Sequence, residues 1–183
     1  MINELGHFTL LLAFLVALLQ ATLPLLGARI NHSGLMSYGR TAAISQFLLL
    51  GASFLALVHA FVTSDFTVRL VALNSHSMKP LIYKISGTWG NHEGSMLLWV
   101  LILSLFGASA AWFGDNLTNR FRATVLAVQG AIGASFLAFI IFTSNPFLRL
   151  AVPPFDGQDL NPILQDLGLA FHPPFLYLGY VGL

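Results

Sequence analysis

With no cysteine in the chain, its six histidines are the residues best equipped to hold a metal. The lack of cysteine removes disulfides, zinc–thiolate sites and a thiol nucleophile, and leaves imidazole as the soft ligand. One histidine is mounted unlike the others. His172 stands immediately before Pro173-Pro174, where a polar stretch carrying Asp156, Asp159 and Asp166 turns into an apolar run. A residue before proline is pushed towards extended backbone, and proline suits the first turn of the helix that follows. The spacing therefore predicts His172 just outside the mouth of a helix, with its backbone constrained. A neutral imidazole held in one direction is a common axial ligand for haem iron. Phe171, Phe175, Leu176 and Tyr177 would supply the apolar wall that a porphyrin needs. The plainer role for the same residue is an interfacial histidine that caps or hydrogen-bonds.

A second constellation is Trp89-Gly90-Asn91-His92-Glu93-Gly94, preceded by Gly87. Ser95, or Asn91 together with Ser95, is placed to cap a helix that begins here. His92-Glu93 does not start a zinc-protease motif, because Met96 occupies the position of the second histidine. Trp89 reads as a membrane-interface anchor. Yet a glycine-rich turn with this content holds more chemistry than a helix entry requires. Trp89, Asn91, His92 and Glu93 are therefore candidates to line a cofactor cavity. Asp156-Gly157-Gln158-Asp159 lacks the further oxygen ligands and closing glutamate of a calcium loop, so turn and cap hydrogen bonds are expected there.

The elements that must position these residues are membrane helices. The chain of 183 residues is 56% hydrophobic and 8% charged, too few charges to cover a water-facing surface. Its net charge of +1 marks neither a polybasic nucleic-acid binder nor an acidic tail. Four uncharged apolar runs, 5–28, 41–64, 94–114 and 123–146, each exceed the roughly 20 residues that cross a bilayer core. A fifth begins at Pro173. The expected fold is an all-α polytopic membrane protein: four spans and the start of a fifth, forming one multi-spanning domain over 1–183. The first run reads as a span, not a cleaved signal peptide, since no positive charge precedes it. Gln20 within it predicts an interhelical hydrogen bond, and Pro24 a kink. Gly107/Ala111 and Gly130/Ala134 predict close helix packing. The alternation in 66–74 predicts a short strand, and Pro162 to Asp166 a short helix.

Loop charges set the orientation. The short connections 27–40 and 115–122 carry the pairs Arg29, Arg40 and Arg120, Arg122 and read as cytoplasmic. Loop 65–93 spreads Arg69, Lys79 and Lys84 over a longer stretch, and loop 147–172 sets Arg149 against three aspartates. Both read as external, with the N-terminus. That places His7, His59, His76, His92 and His172 on one side and His32 on the other. The spans contain no Asp, Glu, Lys or Arg, which counts against a transport pathway through them.

Two blocks, TWGNHEGSMLLWVLIL (88–103) and PPFDGQDLNPILQDLGLAFHPPFLYLGYVGL (153–183), resemble the N-terminal part of the CcmF family. These are the large membrane subunits of the bacterial cytochrome c maturation haem lyase. The order and spacing of the other segments also fit, so the resemblance covers the whole chain. It extends to the paralogous lyase of a nitrite-reductase cytochrome. The resemblance implies that His172 is the first of two external histidines that ligate haem on either side of a tryptophan-rich segment. It implies haem b taken from the haem chaperone CcmE and attached to the Cys-x-x-Cys-His motif of an apocytochrome c. CcmH-type and CcmI-type subunits are the implied partners, and the periplasmic face of the bacterial inner membrane the implied place. The family's tryptophan-rich segment, second histidine and intramembrane ligands are not in this sequence, so residues 1–183 alone are not expected to complete a haem site or to be active. Thioether formation adds partner thiols to haem vinyl groups, so such a lyase needs no cysteine of its own; its work is holding. A haem transporter or exporter, and a structural subunit that docks membrane proteins, remain the alternative readings.

Overall fold

A computed structural model of the chain describes residues 1–159 and 165–182, and these are all-α. The helices are α1 (Ile2–Ile30), α2 (Ser33–Val62), α3 (Arg69–Asn74), α4 (Leu81–Gly87), α5 (His92–Phe113), α6 (Asn119–Thr143) and α7 (Leu167–Gly182). Four are long and apolar enough to cross a membrane: α1, α2, α5 extended by a 3-10 turn to Asn116, and α6. They match the four apolar runs, of which 5–28 and 94–114 lie wholly within their helices while 41–64 and 123–146 run two and three residues past the ends of α2 and α6. Helices of 25 to 30 residues are about 38–45 Å long at 1.5 Å per residue, so their ends stand outside a hydrocarbon core of about 30 Å.

The bundle is assembled around the α1–α2 hairpin, with α6 packed on α1 and α5 on α2. Leu10, Leu50, Leu57, Phe61, Leu97 and Leu137 fill its interior, while Leu15, Leu48, Leu55 and Phe142 face outward. Lipid is as apolar as this core, so close fit and polar bonds must hold the helices together. A Cβ on Gly130 would lie 2.9 Å from the backbone nitrogen of Ala21, and one on Gly6 2.7 Å from the Ala56 Cβ. Gln20 is fully buried and donates to the Leu126 carbonyl of α6 at 3.0 Å, the interhelical bond its position predicted. Gln129 carries the tie on to the Leu103 carbonyl of α5. Pro24 sits inside the continuous α1, where Gly39 of α2 makes room for its ring.

The two ends of the bundle differ. At one, Asn31 takes a left-handed turn (φ 57°), and His32 caps α2 by accepting from the Leu35 N–H at 3.2 Å. Thr118 caps α6 at the same end. At the other, the N-terminus and the two longer loops are laced together. Asn3 donates to Asp65 at 2.7 Å, Arg149 pairs with Glu4, and the Asn145 amide meets His7 at 3.0 Å. Main-chain bonds join Arg69 to Leu148, Leu150 to Thr67, Gln158 to Ala72 and Asp159 to Ser75.

Two local expectations are corrected. Residues 69–74 form α3 and not a strand, and among the described residues strand-like pairing is limited to the bridge between Val68 and Arg149. Leu70, Val71 and Ala72 are all buried, which an alternating strand cannot arrange. His172 lies inside α7 and not before it, and so do both prolines. Gln165 and Asp166 precede α7 without being helical; residues 162–164 of the expected short helix lie outside the described residues.

Candidate functional site

The turn that opens α5 is built from the inside by two residues. The Asn91 carboxamide accepts from the Gly94 N–H at 2.7 Å, which caps α5, and donates to the Gly87 carbonyl at 2.7 Å. Gly94 approaches the Thr88 carbonyl so closely that a Cβ would lie 1.6 Å from its oxygen. Glycine is required there by contact. This fold of the turn sends Trp89 one way and His92 the other. The half-buried Trp89 ring stacks on Phe54 of α2, with centroids 6.4 Å apart and planes inclined by 17°. His92, exposed in the first turn of α5, lies edge-on to Phe139 of α6 at 6.2 Å. Glu93 is half-buried beside it, at the positive end of the helix dipole.

The indole nitrogen of Trp89 donates to the Ala170 carbonyl of α7 at 2.8 Å. In an unbroken helix that carbonyl would accept from the N–H of residue 174, and residue 174 is a proline with no N–H to give. Ala170 is buried, so its carbonyl needs a partner. Trp89 provides one, and α7 continues through Pro173-Pro174 in helical form. At its far end α7 still lies along α5, since a Cβ on Gly182 would meet the Phe106 ring at 2.6 Å. α5 and α7 thus run side by side from the same end of the bundle.

This seating sets the direction of His172. Ala170 faces the bundle, whereas His172, Phe175, Leu176 and Gly179, at i, i+3, i+4 and i+7, are exposed. Phe171, Leu178 and Tyr180 are exposed as well, so most of the described α7 surface faces outward and His172 has apolar neighbours on it. The structure therefore brings Trp89 to within two residues of His172, leaves the amide of Asn91 occupied within its own turn, and places His92 against α6. Among the described residues no group of three His, Asp or Glu side chains could hold a bare metal ion.

The loops beside the site carry a polar latch that the sequence did not disclose. Asp156 accepts from the hydroxyl and the N–H of Ser77, from the Gly157 N–H, and faces His76 at 3.4 Å. The Ser77 hydroxyl first, then these N–H groups and His76, hold its pKa at about 2. Gly157 fits because a Cβ would lie 2.0 Å from the Ser75 carbonyl oxygen. Lys79, its side chain enclosed, pairs with Asp159 at 2.9 Å and donates to the Asn74 carbonyl. Burial pushes the Lys79 ammonium down and Asp159 works against it. Partial burial would raise Asp65, but the Thr67 hydroxyl and N–H, with Arg149 and Asn3, bring it below the usual carboxylate value.

Comparison with known proteins bears on this arrangement. A family model described as cytochrome C assembly protein matches residues 89–183, from Trp89 through α7. The cytochrome c-type biogenesis protein ccl1 of Rhodobacter capsulatus is 64% identical over 183 residues. CycK of Bradyrhizobium diazoefficiens, also a cytochrome c-type biogenesis protein, is 62% identical over 182 residues. Each alignment covers 100% of this chain and 28% of the relative, so the chain spans just over a quarter of their length. A solved structure of the cytochrome c haem lyase CcmF superposes with a TM-score of 0.84 at 27% identity, over 100% of this chain and 28% of that one. With the family model matching more than half of its residues, the chain belongs to the cytochrome c assembly protein family, among its CcmF-type members.

Proposed function

We propose that this chain is the haem-presenting part of a cytochrome c haem lyase, with haem b as substrate and His172 as an axial ligand to its iron. The observation that carries this reading is the seating of α7. The Trp89 bond to Ala170 fixes the turn from which His172 projects, on an exposed face with Phe175 and Leu176. The residues fit the group: an imidazole can take one axial position, and aromatic and aliphatic side chains beside it suit a porphyrin. Trp89 is then a positioning residue that acts through α7, and Asn91 acts on Trp89 through the turn it closes. His92, against Phe139 of α6, and Glu93 stand in the first turn of α5 at the same end.

In this reading the haem comes from a chaperone of the CcmE type, and an apocytochrome c with a Cys-x-x-Cys-His motif receives it. CcmH-type and CcmI-type subunits assemble with the lyase at the periplasmic face of the inner membrane. Each cysteine S–H adds across one vinyl C=C, forming a C–S and a C–H bond with no net oxidation. This chain supplies no group to that addition. It fixes the iron ligand in direction, which lowers the entropic part of the barrier.

The test is His172→Gly in the complete lyase, expressed in its membrane with the other maturation proteins. Cytochrome c yield is expected to fall by about tenfold or more, with loss of the Soret band of co-purified haem and partial restoration by added imidazole. Full maturation with unchanged haem retention would remove His172 from the mechanism.

A further inference from the structure

The opposite end of the bundle holds a cavity of about 330 Å³ between the starts of α2 and α6, lined by Ser33, Gly34, Ser37, Arg40, Asn119 and Arg122 among others. We propose that this cavity binds a phosphate group, and that the phosphate belongs to an anionic phospholipid.

The cations there are incompletely matched. This end carries Arg29, Arg40, Arg120 and Arg122 against Asp115 alone, a net charge of +3. Asp115 bonds to Arg122 at 2.7 Å but stands 3.8 Å from Arg40, beyond hydrogen-bond reach, and 70% of its side chain is exposed. Two guanidinium groups therefore converge on one carboxylate that satisfies one of them. Arg122 has only 18% of its side chain exposed and is braced by the Asn119 side chain and the Gly114 carbonyl, so its fork is held in place before any ligand arrives. Arg40, 45% exposed, closes the rim.

The surroundings match the arginines. The first turns of α2 and α6 open at Ser33 and Asn119; His32 and Thr118 cap the Leu35 and Phe121 N–H groups, the N–H groups ahead of these have no intrahelical acceptor, and the dipoles favour an anion. The neighbouring surface is apolar: Trp112, Phe113, Leu117 and Phe121 are all exposed around the α5–α6 connection. Trp112 is of the kind that marks headgroup depth, with acyl chains just below for the Phe and Leu side chains beside it. A soluble phosphate would have no use for that surface, whereas a phospholipid uses both. Basic pockets between membrane helices are suited to anionic headgroups for the same reason.

The test uses thermal unfolding of the full chain in phospholipid-free detergent, with added phosphatidylglycerol, phosphatidylcholine or inorganic phosphate. Phosphatidylglycerol is expected to raise the midpoint on the order of 3 °C and phosphatidylcholine to leave it unchanged. Arg40→Gln/Arg122→Gln is expected to lose the shift. Arg29→Gln/Arg120→Gln, which removes the same charge outside the cavity, is expected to keep it. Should loss of Arg122 disturb folding, Arg40→Gln alone at the exposed rim serves, with lipid retention read by native mass spectrometry. An equal loss in both double variants would reduce the effect to diffuse surface charge and overturn the site. A shift with inorganic phosphate and none with phosphatidylglycerol would overturn the lipid as its source. No shift with either would overturn the site altogether.

Discussion

The Trp89 indole closes a gap that Pro174 opens. Trp89→Phe would keep an aromatic ring against Phe54 but leave the buried Ala170 carbonyl without a donor. Leaving such a group unpaired costs about 1–3 kcal/mol. Amide exchange across the first turns of α7 is expected to quicken by about tenfold or more, while the interior of α1 and α2 keeps its protection. Unaltered exchange in α7 would show that this bond does not seat the helix. The Asp156 latch makes a second prediction, on pH. Its pKa is lowered from 3.8 to about 2, so the carboxylate binds protons less readily in the fold than in the unfolded chain. The latch therefore contributes fully above about pH 4 and is lost as pH falls from 3.8 towards 2. Hydrogen exchange around Ser77 and Gly157, after correction for intrinsic rates, should rise in that acid window relative to about pH 5. Asp156→Asn should open the same segment at neutral pH. A latch equally protected at about pH 2 would mean that its hydrogen bonds do not depend on the charge.

At the level of helices, the membrane made the sequence readable where water-soluble logic would not have. Crossing a hydrocarbon core demands length without charge, and that demand is written in the four apolar runs. Elements outside the core answer to packing instead. The stretch Val68 to Asn74 has strand-like residues, yet burial of Leu70, Val71 and Ala72 together makes it helical. Pro173 gives His172 a local preference for extended backbone, and the fold overrides it, because Trp89, 81 residues before Ala170, provides the hydrogen bond that the prolines cannot. The chemical content of both blocks was legible; their meeting was not, since nothing local to either encodes it. Only the missing N–H four residues after Ala170 marks its carbonyl as needing an outside donor. Gly94 and Gly51 separate contact from propensity. A Cβ on Gly94 would clash with the Thr88 carbonyl, while one on Gly51 meets nothing within 4 Å. Gly94→Ala is expected to destabilise by about 1–3 kcal/mol or more, because backbone must move. Gly51→Ala should be neutral or slightly stabilising. Their melting midpoints in one detergent decide the matter, and equal midpoints would mean that the α5 entry turn yields without cost.

Across the whole molecule, charge is sorted by end. The end with the α1–α2 and α5–α6 turns has a net charge of +3. The end with the laced loops, α7 and His172 sets Arg69, Lys79, Lys84 and Arg149 against six carboxylates, a net charge of −2 apart from the terminal amine. Hydrogen bonds and ion pairs at each end fix which segments belong together, so the molecule has one positive and one negative pole. Arginine in short loops holds a connection on the cytoplasmic side during insertion, and acidic residues contribute little to that choice. The arginine-bearing turns should therefore face the cytoplasm and His172 the periplasm. The chain has no cysteine, so single cysteines can report this without background. Met78 at the acidic end is 84% exposed, and Asn116 at the basic end is also exposed. In intact cells a membrane-impermeant maleimide is expected to label Met78→Cys and to reach Asn116→Cys only after the membrane is opened. The reverse pattern would turn the molecule over, place His172 on the cytoplasmic side, and overturn the proposed haem-presenting role.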